Sequence, residues 1–95
     1  MPSEARLQWR EGSRHLSCTL TEAEVVVGGR HGTIRVPDAT VSRCHARIFR
    51  EGDGVWVQSI DGGHVAVNGV RLERAQLFNR DRIQIGELEL EFWLG

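Results

Sequence analysis

Three short stretches of the chain carry the residues best suited to grip a charged ligand. Gly28-Gly29-Arg30-His31-Gly32 sets a guanidinium among glycines. Asp38-Ala39-Thr40-Val41-Ser42-Arg43-Cys44-His45 adds two hydroxyls, a second arginine, a thiol and an imidazole. Asp61-Gly62-Gly63-His64 adds pliable backbone and another imidazole. Glycine lets backbone approach a ligand closely, and arginine presents a planar fork of donors that matches phosphate. A phosphorylated side chain offers three strong acceptor oxygens. Each charge-assisted hydrogen bond to it is worth roughly 1.5–3 kcal/mol. Arg30, Ser42 and Arg43, with Thr40 beside them, would make a phosphate the main anchor of an otherwise weak contact.

The same residues argue against catalysis. Cys44 beside His45 suggests a nucleophile and its base, yet neighbours along a strand point to opposite faces and do not easily share a proton. His15, His31, His45 and His64 with Cys18 and Cys44 show no metal-ligand spacing, so neither a metal nor a cofactor is expected. Cys18 reads as a small core residue.

The elements that must position these stretches follow a period of two. Leu88, Leu90, Phe92 and Leu94 alternate with Glu87, Glu89, Glu91 and Trp93, the pattern of a half-buried strand. Leu7/Trp9, Leu16/Cys18/Leu20, Ile34/Val36, Ala46/Ile48, Val55/Val57, Val65/Val67 and Ile83/Ile85 repeat the pattern. Turn residues separate the runs. Asp53-Gly54 and Asn68-Gly69 are strong hairpin signals because both pairs tolerate positive φ. No long stretch has a helical period, and β-branched Val25-Val26-Val27 argues for a strand after a turn at Thr21–Glu24. The expected fold is an all-β antiparallel sandwich of about ten or eleven short strands. Trp93, on the glutamate face of the last run, is either packed by a tail or an exposed anchor for a partner.

Composition narrows the function further. A chain of 95 residues suits one domain spanning 1–95. The net charge of −1 provides no global field for nucleic acid or an anionic membrane, so any anion site is local. All 12 basic residues are arginine. No apolar run is long enough to span a bilayer, the first residues lack the apolar core of a signal peptide, and two unpatterned cysteines point to a reducing cytoplasm.

Three blocks resemble the forkhead-associated (FHA) domain, a phosphothreonine-peptide-binding β-sandwich. They are Val27-Gly28-Gly29-Arg30, the stretch from Ile34 to Ile48 with Ser42-Arg43-Cys44-His45 at its centre, and Asn68-Gly69 followed by Asp81-Arg82-Ile83-Gln84-Ile85-Gly86. Ser-x-x-His after the Val36-Pro37-Asp38 strand end is the most specific of these. The resemblance implies that Arg30, set by Gly29, and Ser42 contact phosphate, and that Arg43 adds a second basic contact. It implies that His45 braces the loops, that Asn68-Gly69 is a structural turn, and that Gly63 and His64 contact flanking peptide residues. Two departures stand out. The first loop is about two residues shorter than usual in the family, and Gly63 replaces the usual Asn of the third loop.

Taken alone, Arg30 reads as a solvated turn arginine, Ser42 as a strand-start residue with a local backbone bond, and Arg43 as solvated or binding with equal weight. With the resemblance, the expected function is non-catalytic recognition of a phosphothreonine-containing segment of a partner protein. That partner would be a Ser/Thr-kinase substrate in a bacterium. The alternative is a degenerate scaffold of the same fold that binds a protein without phosphate, for example in a secretion or motility assembly.

Overall fold

Alternating runs become strands because each can then bury one face and solvate the other. The computed structural model describes residues 4–21, 23–28, 34–35, 45–60 and 64–95. In chain order the strands are β1 (Ala5–Glu11), β2 (Arg14–Thr19), β3 (Glu24–Gly28), β4 (Ile34–Arg35), β5 (Ala46–Glu51), β6 (Gly54–Ser59), β7 (Val65–Val67), β8 (Val70–Leu72), β9 (Arg74–Leu77), β10 (Arg82–Ile85) and β11 (Leu88–Leu94). They form a six-stranded sheet in the order β2-β1-β11-β10-β7-β8 and a five-stranded sheet in the order β4-β3-β5-β6-β9. The expected all-β architecture is what the chain adopts. Pairing is antiparallel except between β3 and β4, which run parallel with Val27 opposite Ile34.

The core lies between the sheets. The six-stranded sheet contributes Leu7, Val65, Ile83, Ile85, Leu90 and Phe92, and the five-stranded sheet Val25, Val27, Ile48, Val57 and Leu77. Burying each such side chain is worth about 1.5–3 kcal/mol. Outward positions hold the polar residues of each run, as in β10, where Ile83 and Ile85 are buried and Arg82 and Gln84 exposed. Cys18 packs against the core edge. Burial pushes its thiol above the ordinary range, which keeps it protonated and poorly nucleophilic.

The Asn68-Gly69 turn shows how local chemistry sets register. Asn68 has φ 51° and Gly69 φ 84°, the two positive values that a right-twisted two-residue hairpin requires. Val67 therefore faces Val70, and Val65 faces Leu72. The Asn68 side chain also ties this turn to β10. Its Nδ2 donates to Asp81 Oδ1 at 2.9 Å, and its Oδ1 accepts from the Arg82 amide at 3.0 Å. Asn68→Ala keeps the left-handed residue but loses both bonds. A loss of about 1–2 kcal/mol in urea unfolding is expected, whereas an unchanged midpoint would mean that the bonds contribute nothing net. Among the described residues, no helix is long and apolar enough to cross a membrane.

Candidate functional site

Strand direction decides where the described residues that flank the three candidate stretches lie. β3 ends at Gly28, β5 begins at Ala46 opposite Val27, and β6 ends at Ser59 opposite Ala46. β7 begins at Val65, opposite Ile85 at the end of β10. The described residues that flank 29–33, 36–44 and 61–63 therefore lie at one end of the sandwich. Gly29, Arg30, Ser42, Arg43 and Gly63 lie outside the described residues, as does Cys44. His45 and His64 lie within them.

His45 immediately precedes β5 and is 2% exposed, the one buried polar side chain among the described residues. Its amide donates to the Val27 carbonyl at 3.0 Å, beside the root of the first stretch. Its carbonyl accepts from the Ile60 amide at 2.9 Å, at the entry to the third. The ring Nε2 lies 2.9 Å from the His64 carbonyl, at the exit of the third. A carbonyl can only accept, so Nε2 carries the proton and donates. The Gly86 amide donates to the same His64 oxygen at 3.3 Å, which brings in the β10–β11 turn. One residue thus links the roots of separate loops across both sheets. Burying the ring in the low-dielectric interior strengthens these bonds and raises the penalty for breaking them.

Ile34 to Ile48 and Asn68-Gly69 both fall inside the stretch that the family comparison identifies. The FHA domain model matches residues 25–86. The chain belongs to the FHA domain family. Relatives agree over nearly its whole length. The FHA domain described here is 38% identical over 96 residues to an oxoglutarate dehydrogenase inhibitor of Corynebacterium jeikeium, a match covering 96% of this chain and 65% of that protein. It is 34% identical over 99 residues to the glycogen accumulation regulator GarA of Mycobacterium tuberculosis, covering 99% of this chain and 60% of that protein. The chain therefore spans less than two thirds of either relative's length. A solved structure from work on phosphothreonine-dependent FHA domain interactions superposes with a TM-score of 0.86 at 26% identity, covering 97% of both chains.

The FHA domain carries one further cation at this end that the residue motifs do not mark. Arg71 of β8 is exposed, and its Nη2 donates to His64 Nδ1, with His64 Nε2 3.4 Å away. A guanidinium only donates, so His64 Nδ1 is the acceptor. The signal for Arg71 was present in the Asn68-Gly69 turn. A two-residue turn sets Ala66 opposite Arg71, and the period of two puts Arg71 on the same face as His64, one diagonal step away. Among the described residues, no group of three or more His, Cys, Asp or Glu side chains is arranged to hold a metal ion.

Proposed function

We propose that this FHA domain is a non-catalytic module that recognises a phosphothreonine-containing segment of a partner protein in Ser/Thr-kinase signalling. The observation that carries the reading is His45. Buried and bonded to the roots of loops one and three, it is suited to hold the loops that contain the candidate ligands in fixed relation. Arg30, set by Gly29, and Ser42 would take the phosphate, with Arg43 as a second cation. Gly63 and His64 would meet residues flanking the phosphothreonine, and Arg71 adds positive charge beside them. Further support comes from the relatives, two of them an inhibitor and a regulator by name, and from a solved neighbour whose interactions depend on phosphothreonine.

The test is to titrate a degenerate phosphothreonine peptide library against unphosphorylated and phosphoserine twins. Preference for phosphothreonine is expected, and equal binding to the unphosphorylated twin would sink the proposal. Arg30→Ala and Ser42→Ala should each weaken the phosphorylated complex by roughly 1–3 kcal/mol, since each removes a charge-assisted bond. A second reading draws on Gly63, which lacks the amide of the usual Asn, and on the shortened first loop. It makes the chain a scaffold that binds a protein without phosphate, as in a secretion or motility assembly. Tight binding of a partner by both Arg30→Ala and Ser42→Ala would select it.

A further inference from the structure

Both sheets carry arginines over outward-facing aromatic rings, but the two arrangements are completed differently. On the five-stranded sheet, Arg47 stacks 4.2 Å from the Phe49 ring centre and Arg74 4.9 Å from that of Trp56. Each guanidinium is closed by a carboxylate. Arg47 pairs with Glu24 at 3.4 Å, and Arg74 pairs with Glu51. On the six-stranded sheet the ring is Trp93 of β11. Arg6 of β1, its direct cross-strand neighbour, lies 5.8 Å from the ring centre. Arg80, in the turn that leads into β10 on the other side, lies 4.4 Å from it. Among the described residues, neither Arg6 nor Arg80 has an ion-pair partner, and the Trp93 Nε1–H is buried with no hydrogen-bond acceptor.

Two guanidiniums thus converge on one half-buried ring whose own N–H has no hydrogen-bond partner among the described residues. Buried polar groups are otherwise nearly always paired. Arg80 also holds φ 73°, a left-handed backbone that favours Gly, Asn or Asp over a long side chain. The turn accepts that conformation with the Arg80 guanidinium stacked on Trp93. A shallow concavity of about 250 Å³, bordered by Glu4, Arg6, Asn79, Trp93, Leu94 and Gly95, opens beside the ring. Glu4 forms no ion pair with either guanidinium. Strand direction places this cluster at the end of the sandwich opposite the His45 loops, because Leu94 pairs with Ala5 and Leu88 with Ile85.

We propose that Trp93, Arg6 and Arg80 form a second docking surface, separate from the phosphothreonine site, that binds an acidic segment of a partner protein. Charge complementarity selects the occupant. Two guanidiniums without an ion-pair partner among the described residues match anionic acceptors, and the half-buried indole beside the concavity offers apolar contact to the stems of Glu or Asp. Tryptophan and arginine are the residue types most enriched where interface energy concentrates. Carboxylates would do for Arg6 and Arg80 what Glu24 and Glu51 do for Arg47 and Arg74.

The test uses the full chain and a short oligo-glutamate peptide, with its oligo-glutamine twin as the neutral control. Nitrogen–proton NMR correlation spectra resolve the indoles of Trp9, Trp56 and Trp93, the last assigned from Trp93→Phe. Saturable movement of the Trp93 indole signal by oligo-glutamate alone is expected, fading as added salt screens the charges. Arg80→Gly suits the positive φ and should leave the thermal midpoint unchanged or higher, yet weaken peptide binding about fivefold; Arg6→Ala should weaken it similarly. Arg30→Ala should leave the response intact, which separates this surface from the phosphothreonine site. An unmoved Trp93 signal, or one that moves equally in Arg80→Gly and Arg6→Ala, overturns the proposal. So does an equal response to inorganic phosphate alone or to vesicles of anionic lipid, or a shift that follows protein concentration without peptide. Those outcomes would mean, respectively, a simple anion site, a membrane surface and self-association.

Discussion

Phe92→Ala is expected to remove about 3–5 kcal/mol of stability, the largest loss from any single truncation considered for this chain. Phe92 is 0% exposed in the middle of β11, opposite Leu7 of β1 and packed with Ile83, Ile85 and Leu90. The ring is the largest fully buried side chain among the described residues. Its removal forfeits the transfer free energy of the ring and leaves a cavity that a close-packed interior fills only in part. Its backbone is equally committed. The Phe92 amide donates to Asp81 at 2.8 Å, and its carbonyl accepts from Arg80 at 2.7 Å, so the strand cannot shift inward without breaking the turn before β10. Small domains hold only about 5–15 kcal/mol in total, so the variant should be close to unfolding. Urea denaturation would show a much lower midpoint with an unchanged slope. A loss below about 1 kcal/mol would mean that the site collapses around the smaller side chain.

His45→Ala is expected to cost about 2–3 kcal/mol of stability and to weaken phosphothreonine-peptide binding about tenfold. The stability loss follows from burial. Without the imidazole, the His64 carbonyl loses its Nε2–H donor and, among the described residues, keeps only the longer Gly86 contact. The binding loss would arise differently. The ring joins the start of β5 to the exit of the third loop, so its removal unpins two loops whose relative placement sets any ligand geometry. Isothermal titration at a temperature where the variant remains folded separates the two effects. His45→Gln, whose amide can still donate, should recover part of the binding. Full affinity in a folded His45→Ala variant would show that the loops hold their geometry without this bond.

Much of the fold was legible because the signals were local. A period of two marks a strand by itself, and Asn68-Gly69 has one low-energy way to turn. The Ser42-Arg43-Cys44-His45 stretch identifies the family because its residues are contiguous. The outcomes that escaped the sequence depend on which strands become neighbours. The parallel β3–β4 pairing is one, because residue types do not distinguish it from an antiparallel turn. Arg71 of β8 beside His64, the residue before β7, is another: the Asn68-Gly69 turn sets the register, but the contact itself forms only across it.

Trp93 divides the two kinds of information most clearly. Alternation alone puts it on the outer, glutamate-bearing face of the last strand, and leaves open whether something covers it. What covers it is a pair of arginines from β1 and from the turn before β10, separated from it by the length of the chain in one case and by a tight turn in the other. The sequence by itself determined most of the strands, the Asn68-Gly69 turn and the family, because these follow from near-neighbour chemistry, whereas β9 carried no run of its own and the turn read at Asp53-Gly54 falls one residue earlier, on Gly52-Asp53. The tertiary structure alone decided that His45 is buried with its ring on the His64 carbonyl, and that two guanidiniums meet on one indole. Both are contacts between strands, and strand order is settled by the burial of the whole core rather than by any segment within it.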